Sequence, residues 1–214
     1  MDHSIADIRT NYTQKSFLET DAAADAIEQF RIWWDEAVHS QISEINAMTL
    51  ATANAEGIPD ARIVLLKDFS NQGFVFFTNY NSQKGHELAE NGHACLVFFW
   101  KELERQVRIS GKVVKVSQAE SEEYFYSRPV ESQIGATASP QSAVIPNRAF
   151  LDVQLKMMTE KANRAGKVEK PETWGGYLVQ PISIEFWQGR ASRLHDRIRY
   201  KKEKNNWLIE RLAP

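Results

Sequence analysis

The feature that most constrains this chain is the rhythm of its β-rich runs. From residue 47 onward they come short and close together, at 47–53, 61–66, 73–78, 94–100 and 106–116. Asn54-Ala55-Glu56-Gly57 and Ser70-Asn71-Gln72-Gly73 read as hairpin connections. In the last run Gln106, Arg108, Ser110 and Lys112 alternate with Val107, Ile109, Gly111 and Val113, the period of a half-buried antiparallel strand. Such runs joined by such turns predict a meander that curls into a barrel. The chain returns to β structure at 176–188, where Ile182, Ile184 and Phe186 alternate with Ser183, Glu185 and Trp187. It ends in a hairpin of 197–202 and 206–210 turning at Asn205-Asn206.

Helices interrupt this pattern. Ile27, Phe30, Trp34, Ala37 and Val38 trace one face of a helix over 24–40, with Asp25 placed to cap it. Further helices are predicted at 82–90, 118–127 and 146–165. The last has Pro146 near its first turn, Phe150, Val153, Met157 and Met158 on one face as core filler, and Gly166 beyond its end. The fold class is therefore mainly β with peripheral helices, and without a linker or repeat one domain is the better count.

With 43% apolar and 25% charged residues the 214-residue chain is too apolar and too balanced for disorder, and it can bury a substantial core. Its single cysteine, Cys95, sits in an apolar run and reads as a small buried hydrophobe in a reducing compartment. No apolar run approaches the ~20 residues of a membrane span. Met1-Asp2-His3-Ser4 has no signal-peptide pattern, so a cytoplasmic protein is expected. A net charge of −2 argues against a broadly basic nucleic-acid surface. That balance is uneven: residues 1–47 hold nine acids against three bases, and 189–204 hold seven bases against two acids. A basic cluster of this kind is either a solvated face or a site for a small anion.

Phosphate loops, dinucleotide fingerprints and nucleophile elbows are absent, and His86-Glu87 lacks the second histidine of a zinc helix, so no metal is expected. What remains is cations and hydroxyls near strand ends and helix starts. Arg62 and Lys67 stand five apart, on opposite faces if their strand stays regular, where they would serve two neighbouring anions. Thr78 to Lys84 leads from a strand into a helix, which suits either a phosphate or a plain hydroxyl cap. Tyr124, Arg128 and Ser132 offer a second cradle.

Longer blocks carry more. They are Arg62-Ile63-Val64-Leu65-Leu66-Lys67, Leu103-Glu104-Arg105-Gln106-Val107, Tyr124-Phe125 with Ser127-Arg128-Pro129, Ser132-Gln133-Ile134-Gly135-Ala136 and Gln141-Ser142. Trp174-Gly175-Gly176-Tyr177, Ile184-Glu185-Phe186-Trp187-Gln188-Gly189, Arg193-Leu194-His195-Asp196-Arg197 and the terminal Arg211-Leu212-Ala213-Pro214 follow in order. In these blocks, over nearly the whole chain, the sequence resembles the pyridoxine 5′-phosphate oxidases. The resemblance implies a homodimer of FMN-binding split β-barrels, with flavin in clefts between subunits. It implies oxidation of pyridoxine 5′-phosphate or pyridoxamine 5′-phosphate to pyridoxal 5′-phosphate, with O2 as acceptor, H2O2 as product and NH3 from the amine.

The same resemblance implies roles. Arg62, Lys84, Ser142 and Thr78 would bind the FMN phosphate, and Gln106, Gln141, Trp187 and Arg197 would line the rest of the flavin. Ile63, Val64, Leu65, Leu66, Lys67, Phe77 and Gln83 complete the cofactor set. Lys67, Tyr124, Arg128 and Ser132 would hold the substrate phosphate. Arg193 and His195 would act at the carbon oxidised, with Leu194 between them. Arg9 and Tyr12 match a mobile segment, residues 1–20, that closes over the site, leaving 21–214 as the barrel domain. Two positions depart from the family pattern. Gln83 replaces a common arginine, which is expected to weaken FMN retention by about 1 to 2 kcal/mol if nothing substitutes. Phe77 stands where many members have tyrosine. The alternatives are another split-barrel flavin oxidoreductase, which would not need the Lys67, Tyr124, Arg128, Ser132 set, or a non-catalytic pyridoxal-phosphate binding protein.

Overall fold

The computed structural model describes residues 5, 11–204 and 206–214. Its main elements are α1 (Ala26–His39), β1 (Ala47–Ala53), β2 (Pro59–Leu65), β3 (Asp68–Ser70), β4 (Gly73–Asn79), α2 (Gln83–Glu90), β5 (His93–Trp100) and β6 (Arg105–Lys115). There follow α3 (Gln118–Ser127), α4 (Val130–Ala138), α5 (Arg148–Ala165), β7 (Trp174–Gln188), β8 (Asp196–Glu203) and β9 (Asn206–Arg211). Among the described residues nine strands form one sheet in the order β2-β1-β5-β6-β7-β4-β3, with β8 pairing β7 and β9. The β3–β4, β4–β7, β7–β8 and β8–β9 ladders are antiparallel. Strand β7 meets β4 through 174–179 and β8 through 183–188.

The residues group into two compact units, each with its own core. One takes the described residues up to Thr49 with Cys95–Gly111 and Pro181–Pro214. Its helix α1 starts where Asp25 accepts hydrogen bonds from the N–H groups of Ile27 (2.8 Å) and Glu28 (3.1 Å). The buried stripe of α1 runs through Ala26, Ile27, Phe30, Trp33 and Ala37. Val38, expected on that face, is 48% exposed, and the stripe turns toward Trp33 instead. The cause is an aromatic cluster: the Trp33 ring lies 5.1 Å from Phe17 and 5.2 Å from Phe186, and the Arg105 guanidinium lies 4.2 Å above it. Each such buried ring contributes about 1.5 to 3 kcal/mol.

The second unit comprises Leu50–Ala94 and Lys112–Gln180. Here Phe125, Ile134, Ala162, Val168 and Trp174 form a buried cluster against which Met158 packs. Helix α4 is an addition to the predicted elements; the sequence marks its residues only as a cradle around Ser132. Helix α5 begins at Arg148, capped by the Asn147 side chain accepting from the Phe150 N–H (3.1 Å), so Pro146 precedes the helix instead of opening it. Ala162 is the buried residue of α5, while Val153 and Met157 are half exposed, so of the two methionines only Met158 serves the core. Gly166 ends the helix in the left-handed region at φ 69°.

Several local expectations need correcting. Lys67 lies beyond the end of β2, so it and Arg62 do not share a regular strand. Cys95 is half-buried, and Ile182 is exposed. Asn205 lies outside the described residues, although β8 and β9 pair up to Glu203 and Asn206. Among the described residues no helix is long and apolar enough to cross a membrane.

Candidate active site

The second unit contains a cavity of about 820 Å³. Strand β2 brings Arg62, Ile63, Val64 and Leu65 to its wall, and Lys67 follows just past the strand. Strand β4 supplies Phe77 and Thr78, α2 supplies Lys84, and α3 with the turn after it supplies Tyr124 and Arg128. Ser132 comes from the first turn of α4, and Gln141 from beyond its end. Two cradles inferred from separate stretches of sequence are thus walls of one space, and Arg62 and Lys67 line it together.

Two of its cations, Lys84 and Arg128, are under-neutralised. Lys84 is buried, with a long 3.4 Å contact to the Ser82 hydroxyl; burial, and then the Arg62 charge, lower its pKa. Arg128 gives Nη2–H to the Ser132 carbonyl (3.0 Å), while its buried Nη1 has no hydrogen-bond partner among the described residues. Burial lowers its pKa too. A buried guanidinium nitrogen without an acceptor costs on the order of 1–3 kcal/mol, which an anion in the cavity would recover. The Arg128 guanidinium lies 4.9 Å from the Trp174 ring centre. Trp174 stacks with Phe77 (5.5 Å) and Tyr124 (6.1 Å), and Phe77 and Tyr124 stack at 4.0 Å, a rigid aromatic wall.

Arg62 is aimed by a partly buried network that the sequence reading missed. Its Nη2 donates to Glu87 (3.1 Å) and to Asp60, and its Nη1 donates to the Thr52 hydroxyl and the Leu50 carbonyl. Burial would raise the Glu87 pKa, but hydrogen bonds from Thr52, Gln83 and Arg62 outweigh it and keep the carboxylate ionised. Gln83 therefore does not line the cavity: its amide donates to Glu87 Oε1 at 2.8 Å. The available signal was the Gln83–Glu87 spacing on one helix face. Gln141 lines the cavity while its Oε1 accepts from Thr78 Oγ1 and the Asn79 N–H, both at 3.2 Å. Leu66 is buried behind the wall, and Ser142 is exposed in left-handed backbone (φ 69°); neither lines the cavity.

The first unit holds the remaining nominated residues. Trp187 and His195 lie with ring centres 4.6 Å apart, and Tyr12 meets them edge-on at 5.6 and 5.9 Å. Gly189 makes room for this arrangement, since a Cβ there would stand 2.6 Å from the Tyr12 ring. The segment carrying Tyr12 is pinned by Glu104, whose buried carboxylate accepts the N–H groups of Thr13 (2.9 Å) and Gln14 (3.1 Å). Sequence offers no pointer to this role, because the partners lie some 90 positions apart. Arg193 is exposed in left-handed backbone at φ 62°, an unfavourable conformation for a non-glycine residue, and Leu194 is also exposed. Arg197 donates to Glu185 (2.9 Å) and to the Ala213 carbonyl (2.8 Å), and Gln106 is half-buried on β6. Arg9 lies outside the described residues.

Fold and cavity together define a class: a mainly β protein with peripheral helices whose cavity presents cations beside an aromatic wall. Known proteins narrow this. Residues 34–161 match the family model described as pyridoxamine 5′-phosphate oxidase, and residues 174–214 match the pyridoxine 5′-phosphate oxidase C-terminal dimerisation region. The pyridoxine/pyridoxamine 5′-phosphate oxidase of Leptospira interrogans is 54% identical over 100% of both chains. That of Acaryochloris marina is 53% identical over 99% of this chain and 96% of its own. Among solved structures, PhzG from Burkholderia lata, in complex with tetrahydrophenazine-1-carboxylic acid, superposes with a TM-score of 0.88 at 29% identity, covering 95% of this chain and 100% of its own. A pyridoxamine 5′-phosphate oxidase-related, FMN-binding protein from Nostoc punctiforme shares the fold at TM-score 0.68 and 15% identity, over 86% of this chain and 97% of its own. The chain belongs to the pyridoxine/pyridoxamine 5′-phosphate oxidase family, and its fold is the split β-barrel of that family.

Proposed function

We propose that this enzyme oxidises pyridoxine 5′-phosphate or pyridoxamine 5′-phosphate to pyridoxal 5′-phosphate with FMN as cofactor. The alcohol and O2 would give the aldehyde and H2O2; the amine, O2 and water would give the aldehyde, NH3 and H2O2. The observation that carries this reading is one cavity holding two separate cation sets, Arg62 with Lys84 and Lys67 with Arg128, where two phosphorylated ligands must be seated. Its volume suits such ligands. The unpartnered Arg128 Nη1 and the buried Lys84 ammonium fit phosphate oxygens, and the family match supports the pairing of ligands.

Bound FMN supplies the two-electron acceptor for the C4′ hydride and the route from there to O2. The chain's residues bind and orient. Arg62 and Lys84, with Thr78, would hold the cofactor phosphate, and Gln141, Gln106, Trp187 and Arg197 would border the flavin. Ser142, Leu66 and Gln83 belong to the proposal only through backbone or indirect effects, given where their side chains lie. Lys67, Tyr124, Arg128 and Ser132 would hold the substrate phosphate, and Tyr12, with Arg9, would cover the substrate beside Arg193 and His195. Fixing both rings face to face and excluding water is the protein's contribution to rate. The protein would work in the cytoplasm as a homodimer, consistent with the match of its last strands to a dimerisation region.

Arg193→Ala tests the catalytic assignment. Turnover should fall at least about 100-fold while FMN affinity changes less than about threefold, as expected for a group that touches substrate only. Parental turnover in this variant would overturn the role of Arg193.

A further inference from the structure

The proposed oxidation removes a hydride from carbon and a proton from the attached oxygen or nitrogen, and His195 is the nearest thing to a base among the residues assigned to the substrate. We infer that His195 instead faces the substrate as a hydrogen-bond donor, in the neutral tautomer protonated on Nε2. The inference rests on the functional reading above, which places substrate beside this ring.

The geometry fixes the tautomer. The backbone N–H of Arg190 donates to His195 Nδ1 at 3.1 Å. A ring nitrogen that accepts an N–H has its lone pair engaged and carries no proton, so the proton of the neutral ring is on Nε2. A base working through Nε2 needs the opposite tautomer, which would set Nδ1–H against the Arg190 N–H, donor against donor. Histidines that act as bases through Nε2 have Nδ1–H oriented by an acceptor, typically a carboxylate. The adjacent carboxylate here is already engaged: Asp196 accepts from the Phe17 N–H (3.0 Å), Arg190 Nη1 (3.1 Å) and Arg211 Nη1 (2.9 Å).

The surroundings agree. Tyr12 and Trp187 flank the ring, and Arg193 and Asp196 are the charges that act on it. Burial, and then the Arg193 charge, lower the imidazole pKa, with Asp196 opposing them, which favours the neutral ring. The Arg193 guanidinium offers donors and no acceptor. Both groups therefore donate, and the proton released from the substrate passes to water, while the C–H electron pair leaves with the hydride.

Nitrogen-15 NMR of histidine-labelled holoenzyme, with His195→Gln to assign the resonance, reads the tautomer directly. The account predicts an unprotonated Nδ1 and a protonated Nε2 at pH 8; a protonated Nδ1 overturns it. Activity supplies an independent arm. A glutamine side chain at this position sets an amide N–H near the place of Nε2 and cannot accept a proton as a base. Turnover in His195→Gln should therefore stay within about tenfold of parental, whereas a lost base costs at least about 100-fold. His195→Asn, too short to reach, should lose more than His195→Gln. A His195→Gln variant that loses 100-fold together with an ascending limb of the kcat–pH profile contradicts the donor role. Parental turnover in both variants refutes the placement of substrate at His195, leaving the NMR result to judge the tautomer separately.

Discussion

Lys84 is a buried ammonium whose pKa is lowered by burial and by the neighbouring Arg62. An anion binds its protonated form, so affinity falls as pH rises through a pKa below that of free lysine, and a bound phosphate pulls that pKa back up. FMN affinity, followed by quenching of flavin fluorescence, should therefore weaken between neutral and alkaline pH in the parent and much less in Lys84→Arg; identical pH profiles would exclude Lys84 as the titrating group. Gln83 shows a second residue-scale effect. Its amide is bound to Glu87, so an arginine placed there meets a buried carboxylate before it meets the cavity. Gln83→Arg alone should change the FMN Kd by less than about threefold, while Gln83→Arg with Glu87→Gln should tighten it by about tenfold, a coupling that a double-mutant cycle measures. Additive effects would mean that Glu87 does not capture the new charge.

Between elements, the clearest device is Glu104. Standing just before β6 in left-handed backbone (φ 54°), it fastens residues 13 and 14 and so carries Tyr12 to the Trp187 and His195 rings. Replacing it with alanine should raise the substrate KM about tenfold, leave FMN affinity within about threefold, and speed amide exchange at Thr13 and Gln14, measured by hydrogen-exchange mass spectrometry. Unchanged exchange would show that the segment is held elsewhere. Elements with strong period were legible in the sequence: the alternation along 106–113 matches the burial of β6, and α3 spans the expected 118–127. Helix α4 was not, because Pro129 at its cap and Gly135 within it weaken the local signal, while burial of Gln133 and Ile134 stabilises it. In the same way, cations were visible one by one, but Arg62 and Arg128 sharing a cavity is a consequence of how β2 and α3 are placed. The burial of the Glu87 and Glu104 carboxylates was illegible, since nothing in composition distinguishes a buried acid from a solvated one.

At the scale of the molecule, the near-zero net charge is the sum of an acidic front and a basic tail that meet. Glu19 binds Arg211, an interaction that holds the Glu19 pKa down to about 2, and Asp25 accepts from the Trp207 indole. Much of the tail charge is thereby structural: Arg199 pairs with Glu210, and Lys202 sits 4.6 Å from the Trp207 ring. In the cavity of the second unit, by contrast, the buried Lys84 ammonium and Arg128 Nη1 are left for ligands, while Arg62 is paired with Asp60 and Glu87. The central claim is that this cavity seats FMN and a phosphorylated vitamer for redox chemistry. The direct measurement is to load the purified protein with FMN, add pyridoxine 5′-phosphate without oxygen, and follow the flavin absorbance. The account predicts that the yellow band bleaches with stoichiometric formation of pyridoxal 5′-phosphate and returns on admitting O2. A protein that retains FMN yet stays oxidised with both pyridoxine 5′-phosphate and pyridoxamine 5′-phosphate, or one that retains no FMN at all, would contradict it.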